Sequence, residues 1–343
     1  MPNLPASELR EMLATIYGRN GVERGEAEVV AWHQVEANLV GHDSHGVART
    51  KRYVEQVLKG EIVPGIDITI DRESASTLVI DGNWGFGFSV TQKAIDLGIA
   101  KAIQSGSCSL VIRRQSHIGR LGGYAERAAR EGFIAILMAD SGMGPKTVAP
   151  FGGASRRLGT NPICIAVPRG NGQVALLDMA TSAVAVGKLD MAKRRDQPIP
   201  VGWVVDAEGR PTTDPQDYYR GGAVLPLGGD QGHKGYALSY MVEVMCGLLT
   251  GLGFGVDPSG RHNDGVYMSI VDPACFLDPV AFQQSVEDFN KFLLETPVAE
   301  GFTEILYPGQ LEERTKAERE RSGVPVDDQS WTELNALLSG EGS

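Results

Sequence analysis

The 343-residue chain carries 43 acidic against 32 basic side chains, a formal charge of −11, with 42% hydrophobic residues and 43 glycines. That apolar content supplies a sizeable core and excludes a disordered chain; the acidic balance excludes a nucleic-acid binder, and no apolar run reaches the roughly 18 residues of a membrane span. Glu8 and Glu11 interrupt what would have to be a basic and then apolar leader, and Cys108, Cys164, Cys246 and Cys275 lie scattered without a C-x-x-C, so a soluble cytoplasmic protein with reduced thiols is expected.

In chain order, Leu9, Met12, Leu13 and Ile16 predict a first helix capped by Ser7 and ended by Gly18 to Gly21. A second is expected from about Gly25 to Val40, with Val29, Trp32, Val35 and Leu39 on its apolar face and Gly41 as its stop. After the loop Gly41-His-Asp-Ser-His-Gly46, a third helix starts behind Ser44 and buries Tyr53, Val54, Val57 and Leu58. From Thr77 strands and helices alternate: strand 77–80, helix 91–103, strand 109–112, helix 124–130, strand 133–138. Further strands are expected at 163–167, 174–177 and 266–271, and long helices at 235–249 and 281–294. The Pro- and Gly-rich stretch 197–229 reads as loops with short strands, and 311–322 and 329–338 as closing helices. The reading is therefore α/β. A helical domain built from both termini (1–75 with 295–343) flanks a sheet domain (76–294) carrying a loop-rich insertion at about 190–230.

Such alternation invites a Rossmann interpretation, yet Gly85-Phe-Gly87, Gly142-Met-Gly144 and Gly251-Leu-Gly253 all lack the third glycine of G-x-G-x-x-G, and no P-loop occurs. A dinucleotide would need another cradle. Three of the six histidines lie beside glycines, as Ser44-His45-Gly46, Ser116-His117-Ile118-Gly119 and Gly232-His233-Lys234-Gly235. Glycine lets a ligand approach the backbone and histidine moves protons near neutrality, although each could equally be an ordinary loop histidine. If Ser44 caps the third helix, His45 sits at an anion-favouring terminus and Arg49 can fork a carboxylate, or else serve as one more surface cation beside Lys51 and Arg52. His42 and His45 have the spacing of a metal half-site, but no H-E-x-x-H or cysteine pair completes it, and G-x-S-x-G is absent. Asp178-Met179-Ala180-Thr181-Ser182 ends a strand where open amides either cap a helix or hold a ribose or pyrophosphate.

Taken together, 41–46 with Arg49, Ser116-His-Ile-Gly-Arg120, Val148-Ala-Pro-Phe-Gly-Gly153, Gly159-Thr-Asn-Pro162, Asp178-Met-Ala-Thr-Ser182, His233-Lys-Gly-Tyr-Ala237 and Tyr307-Pro-Gly309 resemble the malate/L-lactate dehydrogenase-type oxidoreductases. These enzymes lack a Rossmann fold and include sulfolactate and ureidoglycolate dehydrogenases. The matches run through nearly the whole chain, and 41–46, 117–120 and 233–234 look most like the bacterial hydroxycarboxylate dehydrogenases of that group.

The resemblance implies a non-Rossmann, sulfolactate dehydrogenase-like sheet that binds NAD or NADP, a homodimer, and interconversion of 2-oxo and 2-hydroxy acids. It makes His45 and His117 the candidates for acid/base catalysis, and Ser44 and Arg49, with Lys146 as a further cleft cation, the candidates for substrate binding. Cofactor contacts are expected from His45, Gly119, Arg120, Asp178, Met179, Ala180, His233, Lys234, Gly235, Asn263, Gly309, Gln310, Leu311 and Glu312, with no metal. Proton delivery to a carbonyl oxygen near pH 7 suits histidine. The alternatives are a cyclic imino acid reductase of the piperideine-2-carboxylate type, a nucleotide-binding protein without turnover, and a hydrolase using a metal on His42 and His45.

Overall fold

A computed structural model describes residues 1–256 and 261–340. Its first three helices are α1 (Ala6–Arg19), α2 (Arg24–Leu39) and α3 (Thr50–Leu58). Leu9, Leu13 and Ile16 of α1 are buried as their spacing predicts, with Met12 half-buried and Tyr17 buried beside them, but Pro5, not Ser7, precedes the helix and no side chain caps it. Helix α2 is enclosed on most sides of its second half, so His33, Gln34, Glu36 and Asn38 are buried while Trp32 is partly exposed. Leu58, expected inside, is exposed at the end of α3. A polar side chain enclosed by neighbouring elements carries no apolar period, so the one-face reading of α2 misses it.

The main sheet has seven strands: β1 (Thr69–Glu73), β2 (Thr77–Gly85), β3 (Ser107–Gln115), β4 (Ile134–Ser141), β5 (Ile163–Pro168), β6 (Val174–Met179) and β7 (Asp264–Val271). Their order is β1-β2-β3-β7-β4-β5-β6, with β2 and β3 parallel and every other pair antiparallel. Strand β7 arrives from late in the chain and separates β3 from β4, which places its first residues beside the ends of both. Strand β1 escapes a reading by alternation because all five of its residues are exposed and three are charged, as befits an edge. Helices α4 (Gly87–Ser105) and α5 (Gly122–Arg130) start earlier than expected, and they bury Ile95, Ile99, Tyr124 and Ala128 in one core with Leu110, Leu137, Met268 and other sheet residues.

After β6 come α6 (Val186–Arg194) and a small three-stranded sheet of Val204–Val205, Pro211–Thr212 and Ala223–Val224, which shares its own apolar cluster with Val148 and Leu189. Helix α7 (His233–Glu243) continues into a π-helical turn, Val244–Leu248. Helices α8 (Pro279–Leu294), α9 (Gln310–Ser322) and α10 (Asp328–Ser339) complete the described chain, and 341–343 lie outside it. Asn3–Leu4 pairs antiparallel with Val324–Pro325, and Val324, Val326, Leu334 and Leu337 join the apolar cluster of α1 and α2. Among the described residues no helix is long and apolar enough to cross a membrane.

Candidate active site

The histidine loop is held from below by α2. Asn38 donates through Nδ2 to Asp43 Oδ1 at 2.6 Å and accepts the Val47 N–H at 2.9 Å, while Gln34 donates to the Gly46 carbonyl at 3.0 Å. Gly46 is required here, because a Cβ would come within 2.1 Å of the Asn38 carboxamide. Two short 3-10 turns, Asp43–His45 and Val47–Arg49, occupy the segment, and α3 begins only at Thr50 with no side-chain cap. Ser44 therefore does not cap α3, and His45 is not on a long-helix terminus. Arg49 instead folds back, its Nε donating to the Ser44 carbonyl at 2.9 Å.

This brace sets the half-buried His45 ring parallel to His117, with centroids 5.7 Å apart and planes 9° apart. Tyr53 Oη of α3 lies 2.6 Å from His117 Nδ1, and the Gly119 N–H reaches the same nitrogen at 3.3 Å. Those two contacts engage Nδ1 and leave Nε2 outside them. Gly119 has φ +72°, and a Cβ there would meet Phe88 at 2.5 Å, so the turn after His117 needs glycine. The His262 ring meets His117 edge to face at 5.7 Å, and its Nε2 lies 2.7 Å from Asp264 Oδ1. Burial pushes the His117 imidazole well below its ordinary range, against the pull of Asp264 and with Arg49, His262 and His45 adding to the push. Burial also takes His45 down to about 4, helped by Arg49, His42 and Arg120. Both rings are thereby held in the neutral form near pH 7.

Several of the expected cofactor residues are joined in a polar band, and Arg120 within it lies near enough to His45 to help lower that imidazole. Arg120 is buried beside Glu126 at 2.9 Å and Asp178 at 3.4 Å, and Asp178 Oδ2 also accepts the Gly122 N–H at 2.8 Å. Burial raises the Asp178 carboxyl while Arg120 lowers it. Met179 and Ala180 follow in the half-buried turn, whose Thr181 accepts the Leu227 N–H at 2.9 Å. Gly235 packs against that same Leu227, where a Cβ would lie 2.3 Å from its carbonyl, so the start of α7 with exposed His233 and Lys234 is tied to the strand-end turn. Gly309 enters α9 with φ +93° and backs onto Leu176, Gln310 accepts the Tyr307 N–H at 3.3 Å, Leu311 is exposed, and Glu312 lies 3.4 Å from His42 Nε2. Leu176, Gly309 and Glu312 line a cavity of about 270 Å³. His42 and His45 thus serve different partners, Glu312 and His117.

Two expected residues are engaged elsewhere. Lys146 is buried, its Nζ 2.8 Å from Glu243 and 3.2 Å from Asp140, so its charge is engaged by carboxylates. Asn263 is buried with its oxygen accepting the Arg114 N–H at 2.9 Å, a brace for the end of β3. Sequence reasoning missed three residues at the site. Tyr53 is legible as a core residue, but nothing in its spacing reveals the hydroxyl on His117. His262 and Asp264 reach His117 only because β7 inserts beside β3, and the lone available signal was a histidine two residues from an aspartate at the start of a strand.

Residues 4–335 match the malate/L-lactate dehydrogenase family. An L-sulfolactate dehydrogenase of Methanothermobacter thermautotrophicus is 36% identical over 330 residues, covering 94% of this chain and 92% of that protein. Hydroxycarboxylate dehydrogenase B of Escherichia coli is 34% identical over 339 residues, covering 95% and 91%. The solved sulfolactate dehydrogenase of Methanocaldococcus jannaschii superposes with a TM-score of 0.91 at 34% identity, covering 99% of this chain and 98% of that one.

Proposed function

The chain belongs to the malate/L-lactate dehydrogenase family, and from that premise we propose that it reduces 2-oxo acids to 2-hydroxy acids with NAD(P)H, using His45 and His117 as its proton-handling pair. The nicotinamide nucleotide, when bound, supplies the hydride for the carbonyl carbon. The residues fit such a ligand: the first turn of α7 offers amides that have no intrahelical partners, Lys234 stands exposed there, and close backbone packing at Gly235 keeps this terminus against the Asp178 turn. Arg120, Asp178 to Ala180, and Gly309 to Glu312 line the same band and are the residues proposed to hold it, with Gly119 shaping the turn.

The observation that carries the reading is the stacked pair beside Arg49. Arg49 holds the substrate carboxylate through its terminal nitrogens, its Nε being engaged by Ser44. Arrival of that carboxylate offsets the Arg49 charge that adds to burial in disfavouring an imidazolium, so a proton can load onto the pair. One imidazolium then gives its proton to the carbonyl oxygen as the carbon gains hydride, and the reverse transfer serves oxidation of the hydroxy acid. His117 is the proposed donor because Tyr53 and Gly119 fix its ring through Nδ1.

A homodimer is part of this proposal. Phe276, Val280, Phe289 and Phe292 lie exposed on and just before α8, an apolar surface that a second copy would cover. The cytoplasm is the proposed compartment, where four thiols, three of them buried, remain reduced.

The test is loss of reduced-nicotinamide absorbance, with NADH and NADPH in parallel, over a panel of 2-oxo acids including dicarboxylic, short aliphatic and aromatic members, and cyclic imino acids. Turnover of a 2-oxo acid supports the reading and ranks the two cofactors. Turnover of imino acids alone would reassign the substrate, and folded protein that binds NADPH or NADH without turning over any panel member would favour a binding role.

A further inference from the structure

An acid–imidazole pair lies beside the histidines and has no part in the reaction as described so far. Asp264 opens β7 and is buried; its Oδ1 lies 2.7 Å from His262 Nε2, and its Oδ2 accepts the Ile118 N–H at 3.1 Å. Ile118 directly follows His117, and its carbonyl accepts the Tyr124 hydroxyl at 2.7 Å. One carboxylate thereby grips the backbone beside His117 and also the ring that abuts His117 edge to face.

The charged and titratable groups facing His117 come from three directions. Tyr53 and Arg49 stand on α3 and its approach, His45 on the loop, and His262 and Asp264 at the start of β7. Arg49, His45 and His262 disfavour an imidazolium at His117, and Asp264 favours it. Asp264 in turn faces Asp140, Cys246, Tyr53 and Tyr124 across the sheet. A carboxylate in so enclosed a place acts on a neighbouring ring with little screening.

We propose that Asp264, held against the His262 ring, is a positioning residue that sets how readily His117 holds a proton, and through it the pH range over which the protein reduces 2-oxo acids. This rests on His117 being the acid/base group. Asp264→Asn keeps the size and the acceptor for Ile118 but removes the carboxylate that favours an imidazolium at His117, whereas His262→Gln removes the neighbouring ring that disfavours it and leaves the carboxylate. The two substitutions should therefore move His117 in opposite directions.

The experiment follows the His117 ring proton by NMR in the intact protein, assigned by its loss in His117→Gln, together with the pH profile of kcat/KM for reduction. Asp264→Asn is expected to lower the His117 titration by about one pH unit and His262→Gln to raise it. The basic limb of the rate profile should follow each, so that on the limb Asp264→Asn loses about tenfold in rate. A titration that stays put in both variants, or moves the same way in both, overturns the proposal even if rates fall, because a merely structural role predicts that result. Should Asp264→Asn fail to fold, the upward shift in His262→Gln decides alone: its presence supports the proposal and its absence overturns it. A ring titration that shifts while the rate limb does not would reject His117 as the acid/base group and the control of pH range with it.

Discussion

His45 and His117 stack with ring planes 9° apart and centroids 5.7 Å apart, one on the braced loop and the other after β3. Two imidazoles so placed cannot both be charged cheaply, since each imidazolium disfavours the other. The pair therefore takes up one proton before the other, and removing one ring makes the remaining one more basic. With His117 as donor, His117→Gln should lower kcat for reduction by about 100-fold or more. His45→Gln should keep more turnover and shift the falling, basic limb of the reduction profile to higher pH. Measured kcat and pH profiles of the two variants check this; a basic limb that stays in place in His117→Gln while turnover collapses in His45→Gln would reverse the assignment.

Arg49 spends its Nε on the Ser44 carbonyl, which aims a planar fork and ties the loop to the helix that follows. Lysine keeps the charge and loses both the brace and the paired contacts. A hydrogen bond to a charged group is worth about 1.5–3 kcal/mol, so Arg49→Lys should raise KM for the 2-oxo acid roughly tenfold or more. The dissociation constant for NADPH or NADH, read by fluorescence, should stay near the parent value. An unchanged KM would remove Arg49 from the substrate.

How much of this was written in the sequence depends on the range of the interaction. Local signals succeeded: the apolar period of α1, the strands of β2 to β6, and the glycines around His45, His117 and His233 mark real turns and close contacts. The absent glycine fingerprint matches a sheet whose middle strand, β7, comes from late in the chain. That insertion was not legible, because a strand's spatial neighbours leave no trace in its own spacing, and with it went His262 and Asp264. The cap assigned to Ser44 failed for a local reason, since two 3-10 turns fill the place where a single helix start was expected. The carboxylate partners of Lys146 were not legible either, because Glu243 lies far along the chain, on α7.

That buried cation gives a stability prediction. Lys146 is held between Asp140 and Glu243, and Asn161 donates to the far oxygen of Glu243 at 3.1 Å. Burial, together with Glu243, pushes the Asp140 carboxyl up to about 7, with Lys146 pulling against them. Removing the ammonium leaves Glu243 and Asp140 facing each other in a dry site, where Asp140 must take up a proton, and breaking such a buried pair costs up to about 3–5 kcal/mol. Lys146→Met should therefore lower the urea midpoint strongly, and adding Glu243→Gln should restore part of it. A single substitution that leaves the midpoint unmoved would show that the cluster carries no net stabilisation.

His33 predicts how the fold responds to acid. Its ring is buried against Phe88 and Tyr124, with centroids 5.6 and 4.5 Å away, and Nε2 lies 3.3 Å from Gln92 Oε1. Burial takes this imidazole down to about 3, with Arg120 adding to the fall and the Gln92 contact opposing it. In the unfolded chain it titrates near 6.5, so from that pH downward the unfolded state binds a proton that the folded state refuses. Its contribution is complete above about pH 6.5 and drains away as the pH falls, by about 2 kcal/mol on reaching pH 5. His45 and His117 act with the same sign, Asp140, held up to about 7 in the folded state, acts with the opposite sign over the same range, and carboxylates held low by partners, such as Glu312, act mainly at lower pH. Urea unfolding at about pH 7 and pH 5 reads the sum of these contributions in the parent protein, and a His33 variant isolates one of them. His33→Phe fills the same aromatic slot without a titrating group, and its loss between the two pH values should be smaller by roughly that 2 kcal/mol whatever its absolute stability. Equal losses in the two proteins would mean that His33 already carries its proton in the folded state.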